Sequence, residues 1–318
     1  MYNGVINVYK EAGFTSHDVV AKLRGILKMK KIGHTGTLDP DAVGVLPVCL
    51  GHGTKVSDML TDETKEYVAV LKLGIETDTQ DMSGTVLKDM SHLVPELKKE
   101  DILSTIMSFK GESSQIPPMY SAIKVNGQKL YDLARKGIEV ERKPRAINIY
   151  DIEIIENSDS FLKKAGFEPI DPDDKSVYVM RVVCSKGTYI RTLCHDIGSK
   201  LGCGGCMQHL IRSRVSCFDL DNAYKLADIE KMEQEGTTAN IITAVDKLFD
   251  KYPALHVKEE AMKALMNGNQ LKPDSFLENL REVGDEEVYR IYSYVNEFTG
   301  IYSYDGKFKL LTPVKMFF

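Results

Sequence analysis

Several features that would settle the class of this chain at once are missing. Its longest apolar runs, such as 43–50, fall far short of the roughly 20 residues that a helix needs to cross a bilayer. The opening residues, MYNGVINVYKEAG, have neither the basic start nor the apolar core of a secretory signal, so a cytoplasmic protein is expected. No phosphate loop and no dinucleotide fingerprint occurs, and no cofactor is expected. Among the six cysteines only Cys203 and Cys206 stand at metal-ligand spacing, with Cys194, His195 and His209 near them. With no second CxxC, a glycine turn that carries two thiols outweighs a zinc or redox site, and no metal is expected. An excess of positive charge is also absent: 41 Lys and Arg against 46 Asp and Glu give a net charge of −5. That argues against a generic polyanion binder but leaves room for a local basic footprint.

Two such footprints exist. Lys22, Arg24, Lys28, Lys30 and Lys31 form one; Lys124, Lys129, Arg135, Lys136, Arg142, Lys143 and Arg145 form the other. Charge runs are usually solvated faces. The first of these, however, leads directly into residues 33–47, GHTGTLDPDAVGVLP. Glycines there permit positive φ and close approach of a ligand, and Pro40 pushes Asp39 out of the α region. A carboxylate held on such a turn, ahead of the buried run 43–48, is positioned rather than only solvated. The plainer alternative is an ordinary Asp-Pro turn.

At 318 residues the chain has room for about two domains. Residues 4–8 read as a strand, and Thr15 with Asp18 has capping-box spacing ahead of a helix near 17–28. Alternation over 67–73 and 147–155, and the β-branched run 177–184, predict three more strands. Ile102, Leu103 and Ile106 predict a helix on the solvent side of the sheet. Residues 157–176 are acidic and turn-rich, which predicts a surface insertion pointing away from any phosphate backbone. Ile190, Leu193, Ile197 and Leu201 share one helical face, with Gly202 as the stop. Arg191 near that helix start is unfavourable for the macrodipole, which suggests that it serves a buried carboxylate. Helical patterns recur at 226–234 and 240–249, Tyr252-Pro253 marks a boundary, and a short helix (259–266) precedes strands near 288–295, 298–304 and 307–311. Tyr120 and Tyr131, set among Lys124, Lys129 and Arg135, could be core rings or a surface for base stacking and phosphate contact.

Six stretches taken together resemble the TruB family of tRNA pseudouridine synthases. They are His34 to Pro47, Lys65-Glu66-Tyr67, the loop from Thr77 to Gly84, the segment from Pro117 to Arg135, Gly187 to Leu193, and Leu210, Arg212 and Phe218. The chain departs from the family at Glu11, where proline is usual, and at Cys206 and Ile211, where histidine and arginine are usual. The resemblance implies an α+β fold, with a mixed, mainly antiparallel sheet flanked by helices. It implies a catalytic domain over 1–249 with an RNA-clamping arm near 114–145, and a small β-rich PUA-like RNA-binding domain over 250–318. It also implies isomerisation of uridine 55 in the T arm of tRNA after base flipping. Asp39 would be the nucleophile, Tyr67 the ring stacked on the base, and Arg191 the partner of Asp39. His34 would occupy the vacated space, Leu210 would line the base pocket, and Lys10, Tyr189, Lys124, Tyr120 and Arg135 would also contact substrate. The implied partner is tRNA, with no membrane, no obligate protein partner and a monomeric state. Three other readings stay open: a non-catalytic tRNA-binding or folding protein, a related synthase acting on another RNA uridine, and a small-molecule hydrolase or transferase with an aspartate nucleophile.

Overall fold

A computed structural model describes residues 1–125, 127–171, 173–278 and 286–318. In chain order the elements begin with β1 (Gly4–Lys10), α1 (Ser16–Ile26), β2 (Ile32–His34), β3 (Val43–Leu50), α2 (Ser57–Asp62) and β4 (Lys65–Leu73). Then come β5 (Ile75–Thr77), β6 (Val86–Asp89), α3 (Lys99–Met107), β7 (Gly111–Gln115), β8 (Lys124–Val125), β9 (Gln128–Lys129) and α4 (Leu130–Ala134). Next are β10 (Arg145–Ile154), α5 (Asp159–Lys164), β11 (Val177–Cys184), α6 (Ile190–Leu201), β12 (Gly205–Val215), β13 (Phe218–Asp219), α7 (Leu226–Glu235) and β14 (Ile242–Thr243). The last part holds β15 (Ala254–His256), α8 (Met262–Met266), β16 (Val288–Tyr292), β17 (Phe298–Asp305) and β18 (Leu310–Met316). None of the helices described is long and apolar enough to cross a membrane.

The large sheet runs β14-β1-β3-β12-β4-β11-β10-β7, with β2 on β3 and β13 on β12. It is mixed and mainly antiparallel, as expected; among the described strands of this sheet the one parallel pairing, Ile211↔Val43 and Arg212↔Gly44, joins the two halves. Glycine is required at that junction. Gly44 has φ +107°, and a Cβ there would lie 2.3 Å from the Arg212 carbonyl oxygen. On one face Ile190, Leu193 and Ile197 of α6 and Ile102 and Ile106 of α3 close over Ala69, Leu71, Met180 and Val182. Helix α6 lies unusually close to the sheet: a Cβ on Gly198 would meet the Gly205 nitrogen at 2.1 Å.

Helix α1 has the expected capping box, with Asp18 N–H donating to Thr15 Oγ1 at 3.1 Å and Thr15 N–H to Asp18 Oδ2 at 2.9 Å. Helix α6 ends at Gly202 with φ +75°. Two expectations need correction. Residues 157–176 do not form a plain surface insertion. Leu162 of α5 is fully buried and packs with Val43, Val68, Val70, Val179 and Ile211, while Phe167 stacks on His209 at 4.2 Å. This segment covers the second face of the sheet, which would otherwise leave those valines in water. The pattern at 240–249 is not one helix either. Strand β14 pairs Thr243 with Val5 and Ile242 with Ile6, covering the open edge of β1, and short 3₁₀ turns flank it.

Toward the C-terminus a four-stranded sheet, β15-β16-β17-β18, makes a small β unit. It begins with a strand at 254–256 that the sequence pattern does not reveal, running parallel to β16. Its last strand starts at Leu310, after Lys309 at φ +53° ends a turn. Ile301 and Phe317 of this unit share a core with Val5, Val45 and Phe249.

Candidate active site

Asp39 sits between two anchored neighbours. Leu38 is 3% exposed, in one cluster with Tyr67, Ile190 and Leu210, and its N–H donates to Ser16 Oγ at 2.9 Å. The Pro40 carbonyl accepts from Gly13 N–H at 3.0 Å and from Lys10 Nζ at 2.8 Å. The turn is closed by Ala42 N–H on the Asp39 carbonyl. The carboxylate is thus aimed by its backbone, and its side chain keeps 36% of its surface open.

Arg191 reaches it from α6. Nε lies 2.9 Å from Asp39 Oδ2 and Nη2 donates to Oδ1 at 3.0 Å, a forked pair that fixes the carboxylate in plane. The guanidinium is 5% exposed. Its other N–H groups donate to the Thr79 carbonyl at 3.0 Å and the Tyr120 carbonyl at 2.8 Å, and Nη1 lies 3.6 Å from Asp81 Oδ2. Two carboxylates and two carbonyls offset both burial and the macrodipole, which accounts for arginine in the first turn. Burial raises the Asp39 pKa, Arg191 pulls it back, and Asp81 pushes it up again; the outcome is above an ordinary carboxylate.

Tyr67, on β4, is 8% exposed. Burial raises its phenol pKa most, Arg212 across the strand pair lowers it, and the Asp39 charge is close enough to raise it. The Asp39–Arg191 pair therefore lies beside Tyr67, and Leu38, next to Asp39 in the chain, shares one apolar cluster with Tyr67 and Leu210. His34 is half-buried, edge-on to His17 at 6.3 Å. Burial and that neighbour depress its pKa, and Nδ1 accepts from Gly36 N–H at 3.3 Å, which leaves the proton of the neutral ring on Nε2. Tyr189 caps α6, exchanging hydrogen bonds with Gln115 at 2.9 and 3.2 Å.

The arm residues form a separate surface. Lys124 and Arg135 help to line an open basin of about 570 Å³, and Lys129 and Arg135 lie over the Tyr131 ring at 5.2 and 5.5 Å. Tyr120 ties the arm to the site through its carbonyl, which accepts from Arg191. Lys10, expected to contact substrate, does not face it. It is fully buried, and Nζ donates to the carbonyls of Phe14, Pro40 and Glu11 at 2.6, 2.8 and 3.1 Å. Three carbonyls replace the water of its ammonium, so it fastens the Asp39 turn from below. Cys203 and Cys206 are buried free thiols, and Cys206 Sγ lies 3.4 Å from Met82 Sδ.

Two residues of the site were not singled out from sequence for any role. Asp81 belongs to the Thr77 to Gly84 loop, where Thr79 and Ser83 hydroxyls hold it at 2.7 and 2.6 Å. The density of Thr and Asp in that loop was the available signal. Arg212 is buried behind Tyr67, and only its place in the family pattern marked it.

Residues 24–190 match the profile of the TruB family pseudouridylate synthase N-terminal domain, and 191–250 that of the tRNA pseudouridylate synthase B C-terminal domain. The chain is 52% identical over 318 residues to a tRNA pseudouridine synthase B of Lachnoclostridium phytofermentans, covering 99% of both. It is 43% identical over 316 residues to one of Clostridium kluyveri, again with 99% of each covered. Among solved structures, a chain of a Cbf5-Nop10-Gar1 complex superposes with a TM-score of 0.70 at 26% identity, covering 99% of this chain and 85% of that one. A chain of an H/ACA RNP bound to a substrate RNA containing 2'-deoxyuridine, at 24% identity and a TM-score of 0.68, shares the fold over 99% of this chain and 85% of its own. With its profile matched over more than half its length and its relatives covered end to end, the chain belongs to the TruB family of pseudouridylate synthases.

Proposed function

We propose that the protein converts uridine 55 in the T arm of tRNA to pseudouridine, with Asp39 as the nucleophile. The observation that carries this reading is the forked pair between Arg191 and Asp39, next to the cluster in which Leu38, Tyr67 and Leu210 pack together. The curated relatives bear the name tRNA pseudouridine synthase B, which supports tRNA as the substrate. The reaction breaks the N1–C1′ bond, turns the uracil and joins C5 to C1′, so no electrons enter or leave. A uridine inside a folded loop must first be flipped out, at roughly a few kcal/mol. Arg191 keeps Asp39 ionised in a desolvated pocket, Tyr67 stacks on the extracted base, and neutral His34 fills the space it leaves. Lys124, Tyr120 and Arg135 on the arm, together with Tyr189, hold the RNA. The catalytic domain spans 1–249 and a PUA-like RNA-binding domain 250–318. The protein acts as a cytoplasmic monomer with no obligate protein partner.

The test is incubation with an unmodified tRNA transcript, followed by mapping of pseudouridine at single-nucleotide resolution. Product at position 55 is expected, and none in Asp39→Asn, which still binds tRNA. Well-folded protein that leaves the transcript unmodified ends the reading. Product at another uridine alone refutes the choice of site, and turnover by Asp39→Asn removes the nucleophile.

A further inference from the structure

Arg212 is the bulkiest side chain in the described structure that is fully withdrawn from solvent, at 1% exposure. No carboxylate pairs with it among the described residues. Nε donates to the Val45 carbonyl at 2.7 Å and Nη2 to the Gly36 carbonyl at 3.3 Å. Tyr67 is the residue directly opposite it in the β4–β12 pair, near enough for the two groups to act on each other's charge. Lys10 and Lys65 both lie near enough to feel its charge, so the surroundings add repulsion rather than relief. A buried cation without a counter-charge is expensive, and an apolar residue would fill the same position without that penalty.

Its bonds have a pattern that packing does not require. Gly36 and Val45 bracket the loop that carries Asp39, so one guanidinium spans both ends of the loop. The same residue stands opposite Tyr67 in the β4–β12 register, so the strand that carries the guanidinium also holds the strand that carries the ring. We propose that Arg212 is a positioning residue for the isomerisation, setting the Asp39 loop and the Tyr67 ring in register with each other without touching substrate. This rests on the reading of the protein as a pseudouridine synthase.

The test is a double-mutant cycle on single-turnover rates with saturating tRNA transcript, using Arg212→Gln, Tyr67→Phe and the pair, with tRNA affinity measured in parallel. Arg212→Gln is expected to slow turnover while leaving affinity unchanged. The loss in the pair should be smaller than the product of the single losses by about tenfold or more, as for groups that act together. Arg212→Lys keeps the charge but not the fork, and should recover only part of the rate. It also serves in place of Arg212→Gln, in a second cycle with Tyr67→Phe, should the glutamine variant not fold. Multiplicative losses, or weakened affinity at full turnover, overturn the proposal while leaving the enzyme reading intact. Wild-type protein that makes no pseudouridine overturns both.

Discussion

Two stretches interrupt the regular alternation of this chain, and they behave in opposite ways. Residues 114–145 and 157–176 are both polar and rich in turns. The first stands open, with Ile116 and Ile138 about half exposed and a basin lined by Lys124, Lys129 and Arg135. The second buries Leu162 completely and sets Phe167 on His209. Charge distinguishes them correctly, basic against acidic, but charge says nothing about packing. A few apolar residues spaced through 157–176 are enough to make it part of the core, because the sheet face beneath is apolar and uncovered. The arm buries only short apolar patches such as Leu130 and Leu133, and it reaches the site through the Tyr120 carbonyl on Arg191 and the Gln115 side chain on the Tyr189 backbone.

The sharpest probe of this contrast is the point where the arm meets the site. Arg191→Gln removes the buried cation from its carboxylate and should slow single-turnover pseudouridine formation by about 10²–10³-fold, roughly 3–4 kcal/mol in the barrier. It should also move the pH profile. Ionised Asp39 is lost as pH falls through its pKa, which already stands high. Without the guanidinium it stands higher, so the acid limb shifts to higher pH.

Next in size is Leu162→Ala, expected to lower unfolding free energy by about 2–5 kcal/mol in urea titration while the folded enzyme keeps its turnover. An unchanged midpoint would return 157–176 to the status of a surface insertion. Lys10 offers a smaller effect with a definite sign. Burial holds its pKa at about 8, against an ordinary 10.5. The cost of its buried charge is fully present below the lower value and is relieved as pH rises toward the upper one. Between pH 8 and roughly 9.5 the wild type should therefore gain about 2 kcal/mol relative to Lys10→Met, measured as the difference of two urea series. A flat difference would mean that the ammonium is not desolvated. The smallest effect belongs to the arm. Replacing Lys124, Lys129 and Arg135 by alanine should weaken tRNA binding about tenfold and flatten its log-log salt dependence by about 2, with no change in unfolding midpoint. Loss of stability there would erase the distinction between the two stretches.

Local signals made much of this legible in the sequence. The Thr15 and Asp18 box, the face from Ile190 to Leu201 with its glycine stop, and the alternation at 67–73 all depend on neighbours in the chain, and all recur in the structure. The pairing of Arg191 with a carboxylate was readable because cation and helix start conflict. What was not readable depended on distant partners. Strand β14 forms because β1 has an edge to cover, and Lys10 turns inward because three carbonyls converge there. Asp81 joins the site only when its loop folds against α6. No period or spacing encodes such meetings.

Gly198 stands seven residues beyond Arg191 on α6, roughly 10 Å along the axis. Because backbone touches backbone there, the depth of the whole rod is set by the absence of one hydrogen's replacement. A methyl group at that distance would act like a shim under one end of a lever, and the guanidinium at the other end would lift from its carboxylate. The chemistry of this enzyme is therefore guarded by an atom that is not there, at a site that no map of substrate contacts would include.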